Sequence, residues 1–450
     1  MSQKHVVILG NGISGITCAR HLRKLDDQLR ITVISGESKY FFSRTALMYV
    51  AMGHMKFEHT QPYENWFWEK NRIDLLQEWV DRVDFEQKSL EFQSGGKLTY
   101  DQLILATGSK PNKFGWPGQD LKGVQGLYSK QDLEKFEENT SESVQRAVIV
   151  GGGLIGIEMA EMLAYKKIPV TFLVRESGFW NNVLPKEESE LVGRHILEHH
   201  IDLKLETELK EILSDEQGRV NAVLTSKGEK IQCQFIGLTA GVSPNVDFLK
   251  NSTLEIKRGI LVNEYFETNI PDVYAIGDCA EFQNAPASDR RTIEQVWYTG
   301  RMHGETLAHS IAKKKTAYQP GPWFNSAKFL DIEYQTYGTV PPEWNPEEYQ
   351  SFYWEHPGGK VAFRMLMDLK GRILGVNNFG FRLRHEFFDK AIRESWTGEK
   401  VIAKLEKANF DPEFFAPYFL EIQKAYRLKF GGNFKLGKKT FIQKLFGARV

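Results

Sequence analysis

Cysteine is scarce in this chain. The 450 residues contain only Cys18, Cys233 and Cys279. They are far apart and form no C-x-x-C pair, which excludes a disulfide-stapled scaffold and a cysteine-rich zinc module. No uncharged apolar stretch approaches the ~18 residues that a membrane-spanning helix needs. The opening MSQKHVVILG runs straight into an apolar strand, without the anatomy of a secretory signal. A surplus of charge is also missing. Lys+Arg 58 equals Asp+Glu 58, so a whole-protein case for nucleic-acid binding fails. These absences predict a cytoplasmic protein of a reducing compartment, with peripheral attachment to a membrane left open.

The zero charge is a balance of unlike parts. The last acid is Glu421, and the 29 residues after it carry Lys424, Arg427, Lys429, Lys435, Lys438, Lys439, Lys444 and Arg449. The tail is therefore +8 and the preceding 421 residues −8. Hydrophobic residues at 41% and charged residues at 26% are ordinary globular usage. At about 150 residues per domain, the length suggests three domains.

What is present is a repeat. Residues 5–37, HVVILGNGISGITCARHLRKLDDQLRITVISGE, and residues 147–176, AVIVGGGLIGIEMAEMLAYKKIPVTFLVRE, share one pattern: an apolar strand, a glycine-rich turn, a helix and a β-branched strand. The turns carry G-x-G-x-x-G as Gly10, Gly12, Gly15 and Gly151, Gly153, Gly156. The first glycine permits the tight turn, the second lets a pyrophosphate approach, and the third lets helix pack on strand. The phosphates then face a helix N-terminus with its free N–H groups. Two copies in matching contexts predict two dinucleotide sites. Residues 100–111, YDQLILATGSKP, end a strand in Ala106-Thr107-Gly108, and residues 259–279 end another in Gly277-Asp278.

On these motifs, over roughly residues 4–385, the chain resembles the pyridine nucleotide–disulfide oxidoreductase superfamily. The resemblance implies an α/β fold with two Rossmann-like domains, a C-terminal α+β interface domain and, beyond the family pattern, a basic helical tail. It divides the chain into an FAD-binding domain at 1–117 and 250–320 and an NAD(P)-binding domain at 118–249. The interface domain is 321–405 and the tail 406–450. FAD is implied in the first site, NADH or NADPH in the second. Glu37 is implied to accept the adenosine ribose hydroxyls, Val80 to meet adenine, and Arg44 to neutralise charge near the flavin phosphates. Thr107 and Gly108 are placed beside the flavin, and Gly277 and Asp278 at the ribityl chain, a helix cap being the alternative for Asp278. Gly241 is placed with the second site. The segment IEQVWYTGRMHGE is expected to be helical, its N-terminus near Val296 favouring a negative flavin pyrimidine edge.

The missing cysteines narrow the branch. Disulfide and peroxide members of the superfamily carry one or two cysteines shortly after the ribose acid, whereas Ser38–Gly53 reads SKYFFSRTALMYVAMG. Without a reactive sulfur, thiolate chemistry is not expected, and the three cysteines read as small buried residues. Electrons would pass from nicotinamide to flavin N5 and then onward. Ferredoxin and rubredoxin reductases pair a glutamate after the second glycine turn with a lysine five residues past the arginine. Here the glutamate is Glu158, but the lysine position is Tyr49. These two are the candidate catalytic residues, with an ordinary helix-surface acid as the alternative for Glu158. Val174 stands where NADH-binding relatives have an acid, with Arg175 next, which leans toward NADPH or toward weak discrimination. Against NADPH, Glu176 is adjacent, and Asn181 and Asn182 occupy the region of the second arginine typical of NADPH-specific relatives.

In the C-terminal part, 323–340 and 361–376 read as strands with a turn near Lys370-Gly371, followed by helical periodicity from His385 to about Leu405. Trp323 and Phe324 are candidates for an aromatic wall of the flavin pocket. The expected acceptor is a ferredoxin- or rubredoxin-like protein. The alternatives are a quinone, whose family signatures are absent, and a regulatory or assembly role. In KKTFIQKLFGA, Phe441, Ile442, Leu445 and Phe446 share a helical face. That tail could meet a membrane surface, an acidic partner or its own acidic body. A homodimer is left open, and no nucleic acid is expected. His195, His199 and His200 lack an accompanying acid at ligand spacing and read as a solvated face, so no metal is expected.

Overall fold

The computed structural model describes residues 3–141, 144–410 and 418–436. They divide into two compact units: Met1–Arg175 with Thr207–Pro320, and Glu176–Glu206 with the residues from Gly321 onward. The first unit is built on two parallel sheets. One has the strand order Val273–Ala275, Gln102–Leu105, His5–Leu9, Arg30–Ile34, Ile73–Leu76. Its central strand HVVIL is buried throughout, because a parallel sheet covered on both faces needs an apolar run rather than alternation. In the second sheet Val170–Leu173, Ala147–Val150, Phe235–Leu238 and Val124–Gln125 are successive parallel neighbours. Antiparallel pairing of Ser109–Pro111 with Val242–Pro244 links the segments that leave the two sheets.

The helices Ile13–Leu25 and Trp297–Ala312 cross at close range. Gly300 and Gly304 make this possible: a Cβ on Gly304 would lie 2.5 Å from the Ser14 carbonyl oxygen, and one on Gly300 2.7 Å from Ser14 Oγ. The crossing fixes where the second helix begins, at its N-cap Val296.

The second unit is centred on an antiparallel sheet of order Phe324–Phe329, Ile332–Gly338, Ile373–Phe379, Ala362–Asp368, Tyr349–Glu355. The segment 323–340 is thus a hairpin turning at Leu330-Asp331. The periodicity from His385 is broken into helices His385–Arg393 and Gly398–Ala403. Ser395 takes φ 50° between them, and Thr397 caps the second by accepting from Lys400 N–H.

The two compact units do not correspond one-to-one with the three expected domains and the tail. Residues 176–206, placed in the NAD(P) domain, group instead with the C-terminal residues. The reason is a buried polar tie. Arg364 Nε donates to Glu188 Oε1 and Nη2 to Glu187 Oε2, both at 2.7 Å, while Asn377 Nδ2 donates to Glu188 Oε2 at 2.6 Å. The C-terminal unit also extends past residue 405. Helix Phe419–Phe430 buries Phe419, Ile422 and Tyr426 in its core, so the first part of the basic segment is packed structure. The apolar face Phe441, Ile442, Leu445, Phe446 lies outside the described residues.

Candidate active site

The two glycine turns are built alike. Gly10 and Gly151 take φ 118° and 114°, a region that favours glycine. A Cβ there would stand 2.1 Å from the Ala106 oxygen and 2.8 Å from Ala240 N, respectively. Gly15 and Gly156 lie against the first glycine of their own turns, where a Cβ would meet its carbonyl oxygen at 2.0 and 2.6 Å. Gly12 and Gly153 are different. They are the N-caps of helices Ile13–Leu25 and Leu154–Tyr165, and a Cβ on either meets nothing within 4 Å. Neither helix has a side-chain cap or an acid in its first turn. Each turn therefore offers uncapped N–H groups beside open space, the arrangement a pyrophosphate needs.

Around the first turn the side chains converge. Asp278 is half-buried and accepts from Ser109 Oγ at 3.0 Å, and Ser109 Oγ accepts from Gln295 Nε2 at 2.8 Å. Burial holds the Asp278 carboxyl above its ordinary range, against the pull of Ser109 and Arg44. Tyr128 Oη accepts the Ser109 N–H at 3.0 Å, and burial raises that phenol to about 12. Thr107 Oγ1 donates to the Asn245 carbonyl at 2.8 Å, and the Asn245 N–H returns to the Gly108 carbonyl at 2.9 Å. Val80 begins the strand Val80–Asp84, and Gly241 (φ 85°) precedes Val242–Pro244. Ser109, Tyr128 and Gln295 were not singled out from sequence, since nothing local marks them.

Glu37 and Arg44, expected at separate cofactor contacts, also pair with each other. Arg44 Nη1 and Nη2 donate to Glu37 Oε1 and Oε2 at 2.8 and 2.7 Å, and the Lys130 N–H also donates to Oε1 at 2.8 Å. The Arg44 guanidinium lies 4.4 Å from the Tyr128 ring centroid. A ribose hydroxyl reaching Glu37 shares a carboxylate that is already paired.

Behind Gly277 lies a buried cluster that sequence reading also missed. The Gly277 N–H donates to His303 Nδ1 at 3.1 Å, leaving Nε2 3.4 Å from Glu294 Oε2. Glu294 also accepts from Arg290 at 2.7 Å and Tyr318 at 2.9 Å. Burial would raise Glu294, but His303 and Arg290 outweigh it and leave the carboxyl below its ordinary range. The G-x-x-x-G spacing at 300 and 304 was the available signal for this helix's close packing.

At the second turn, Val174 is buried and Arg175 exposed. Glu158 sits one turn into helix Leu154–Tyr165, where burial, with Glu161 second, raises its carboxyl to about 7. Tyr49 lies on helix Leu47–Ala51, which packs against that helix. Its ring is 6.2 Å from His54, which meets Tyr165 edge-on at 5.0 Å. All three cysteines are buried, and burial raises the Cys233 thiol to about 12. Trp323 and Phe324 belong to the second unit, where Phe324 lies 4.0 Å from the His385 ring centroid.

Residues 4–304 match the family described as pyridine nucleotide-disulphide oxidoreductase. The chain belongs to this family. FAD and NAD(P)H are the family's cofactors, and the two uncapped glycine turns fit them. The assimilatory nitrate reductase electron transfer subunit of Bacillus subtilis is 28% identical over 284 residues, covering 62% of this chain and 36% of that protein. The chain thus spans about a third of the length of that relative. The 5,5'-dehydrodivanillate O-demethylase ferredoxin reductase subunit of a Sphingobium species is 30% identical over 335 residues, 74% of this chain and 81% of its own. Among solved structures, the ferredoxin reductase for the CYP199A2 system of Rhodopseudomonas palustris shares the fold. It has a TM-score of 0.79 at 22% identity, covering 94% of this chain and 99% of that one.

Proposed function

We propose that this protein is an FAD-dependent NAD(P)H oxidoreductase that passes electrons to a ferredoxin- or rubredoxin-like acceptor without disulfide chemistry. The observation that carries the reading is the pairing of two open glycine turns with an absence of any cysteine in Ser38–Gly53. The burial of Cys18, Cys233 and Cys279 supports it, because a buried thiol with a raised pKa is a poor nucleophile. The ferredoxin reductase relative supports the acceptor class.

Bound FAD supplies hydride acceptance at N5 and onward transfer of electrons. The protein's part is positioning and electrostatics. The turn at Gly10–Gly15 and the N-terminus of Ile13–Leu25 hold the FAD pyrophosphate, and the turn at Gly151–Gly156 holds that of the nicotinamide nucleotide. Asp278, oriented by Ser109 and Gln295, accepts a ribityl hydroxyl. The N-terminus of Trp297–Ala312, beginning at Val296, favours negative charge at the flavin pyrimidine edge. Glu158 orders the nicotinamide beside Tyr49.

Anaerobic mixing with NADH and with NADPH tests the first half. Loss of the flavin absorbance is expected with at least one of them, and failure of both refutes the reading. Adding a ferredoxin, a rubredoxin or a menaquinone analogue to the reduced protein then identifies the acceptor. Reoxidation by the quinone alone would replace the iron–sulfur acceptor with a membrane-soluble one.

A further inference from the structure

Read from the sequence, His195, His199 and His200 formed a solvated face. The structure corrects this. His195 lies on helix Lys186–Glu198 with its side chain 1% exposed, and His199 is the C-cap of the same helix. Positions i and i+4 stand one above the other on a helix face. Both imidazoles meet one acid from far along the chain. Asp331 Oδ1 lies 2.9 Å from His199 Nε2, and His195 Nε2 is closer still. Asp331 reaches this place because the hairpin turns immediately before Ile332, with Leu330 at φ 56°, an uncommon conformation for a bulky residue.

We propose that His195, His199 and Asp331 form a site for a divalent transition-metal ion, zinc in the first instance, that clasps the end of helix Lys186–Glu198 to the Leu330-Asp331 turn. The three ligand atoms lie within 4.8 Å of one another. An ion at ~2.0–2.2 Å from each donor of a tetrahedral set requires separations of roughly 3.4 Å, so small side-chain adjustments suffice. Two imidazole nitrogens and one carboxylate oxygen suit zinc, and a set without sulfur does not favour soft ions such as Cu(I). His195 is anchored in the interior, whereas His199 is 38% and Asp331 56% exposed. Water can therefore supply a fourth ligand.

The surroundings fit a second layer of support. Lys360 Nζ lies 3.3 Å from Asp331 Oδ2, which leaves Oδ1 for the ion. Glu198 Oε2 lies 3.5 Å from His195 Nδ1, on the side of the ring away from Asp331. It does not hydrogen-bond that nitrogen and would have to close in to orient a metal-bound imidazole. The competing explanation is a metal-free cluster in which the carboxylate oxygen accepts both N–H groups. No residue of either glycine turn belongs to the set, so the site stands or falls independently of the proposed electron transfer.

The test uses the untagged, flavin-loaded full chain, stripped with a chelator and titrated with Zn2+ against a chromogenic competitor. Co2+ absorption serves as a second probe. The wild type is expected to bind one zinc per chain and to melt at higher temperature with it. His199→Ala and Asp331→Asn, both at exposed positions, should weaken zinc at least about tenfold and abolish the thermal shift. His200→Ala, beyond the helix end at φ 59°, should bind like wild type. NAD(P)H-driven flavin reduction, unchanged in all of them, verifies folding. Wild-type binding no stronger than that of Asp331→Asn would overturn the site and leave the metal-free cluster. Equal loss in His200→Ala would also overturn it.

Discussion

Gly10 and Gly151 open their turns at nearly equal φ, and in each turn the third glycine lies against the carbonyl of the first. Their surroundings, however, have little in common. The first turn is followed by Glu37, locked to Arg44, while the second is followed by buried Val174 and exposed Arg175. Two residues past the third glycine stands buried Thr17 in one helix and Glu158 in the other. The comparison separates two properties. The turn geometry suited to a pyrophosphate is a backbone property, and it is present in both copies. Nucleotide discrimination is a side-chain property, and the side chains around the two turns differ.

The strongest way to break the comparison is through the backbone. Gly15→Ala puts a Cβ 2.0 Å from a carbonyl oxygen, which no side-chain motion relieves. It is expected to yield protein holding less than about a tenth of the wild-type FAD, measured by flavin absorbance per chain. Gly156→Ala places the same atom 2.6 Å from the Gly151 oxygen. That variant should keep its FAD and lose reduction by NAD(P)H. If both variants lose FAD equally, the two turns do not serve separate nucleotides.

A smaller effect belongs to the first copy alone. Glu37→Gln removes a charged, doubly hydrogen-bonded partner of Arg44. It should weaken FAD by about tenfold to a hundredfold, the worth of charge-assisted hydrogen bonds, read as recovery of free-flavin fluorescence. Unchanged affinity would mean that the carboxylate serves only Arg44. In the second copy, Arg175→Asp should raise the ratio of KM for NADPH to KM for NADH by about tenfold. A ratio that does not move would remove Arg175 from phosphate recognition and leave the choice to Glu176.

The same division explains what could be read from sequence. The glycine turns were legible because glycines two and five residues past the first fix them locally, and the parallel sheets because continuous apolar runs mark strands buried on both faces. Partnerships across long separations were not. Ser109 meets Asp278 across 169 residues and His195 meets Asp331 across 136, and no local pattern links such pairs. Arg44 was assigned a phosphate role, although the acid it pairs with, Glu37, lies only seven residues upstream. The hairpin inside 323–340 was hidden because Leu330 and Asp331 are not turn-forming glycine or asparagine. Helix Phe419–Phe430 read as tail because its basic residues dominate the count, although Phe419, Ile422 and Tyr426 supply its buried face.

The smallest expected effect concerns Glu158, which has only Thr17 as its counterpart. Burial raises its carboxyl from 4.5 to about 7, so the folded protein holds this proton more tightly than the unfolded chain. The associated stability is complete below pH 4.5 and is lost as pH rises through 7. Between pH 6 and 8 the loss is on the order of 1 kcal/mol. Glu158→Gln carries no charge to bury, so its urea midpoint should fall less than that of the wild type across this range, while Thr17→Ser leaves the slope untouched. If Glu158→Gln and wild type keep parallel pH dependences, the carboxyl is solvated and titrates at its ordinary value. The divergence of the two copies would then lie in Glu37 and Arg175 alone.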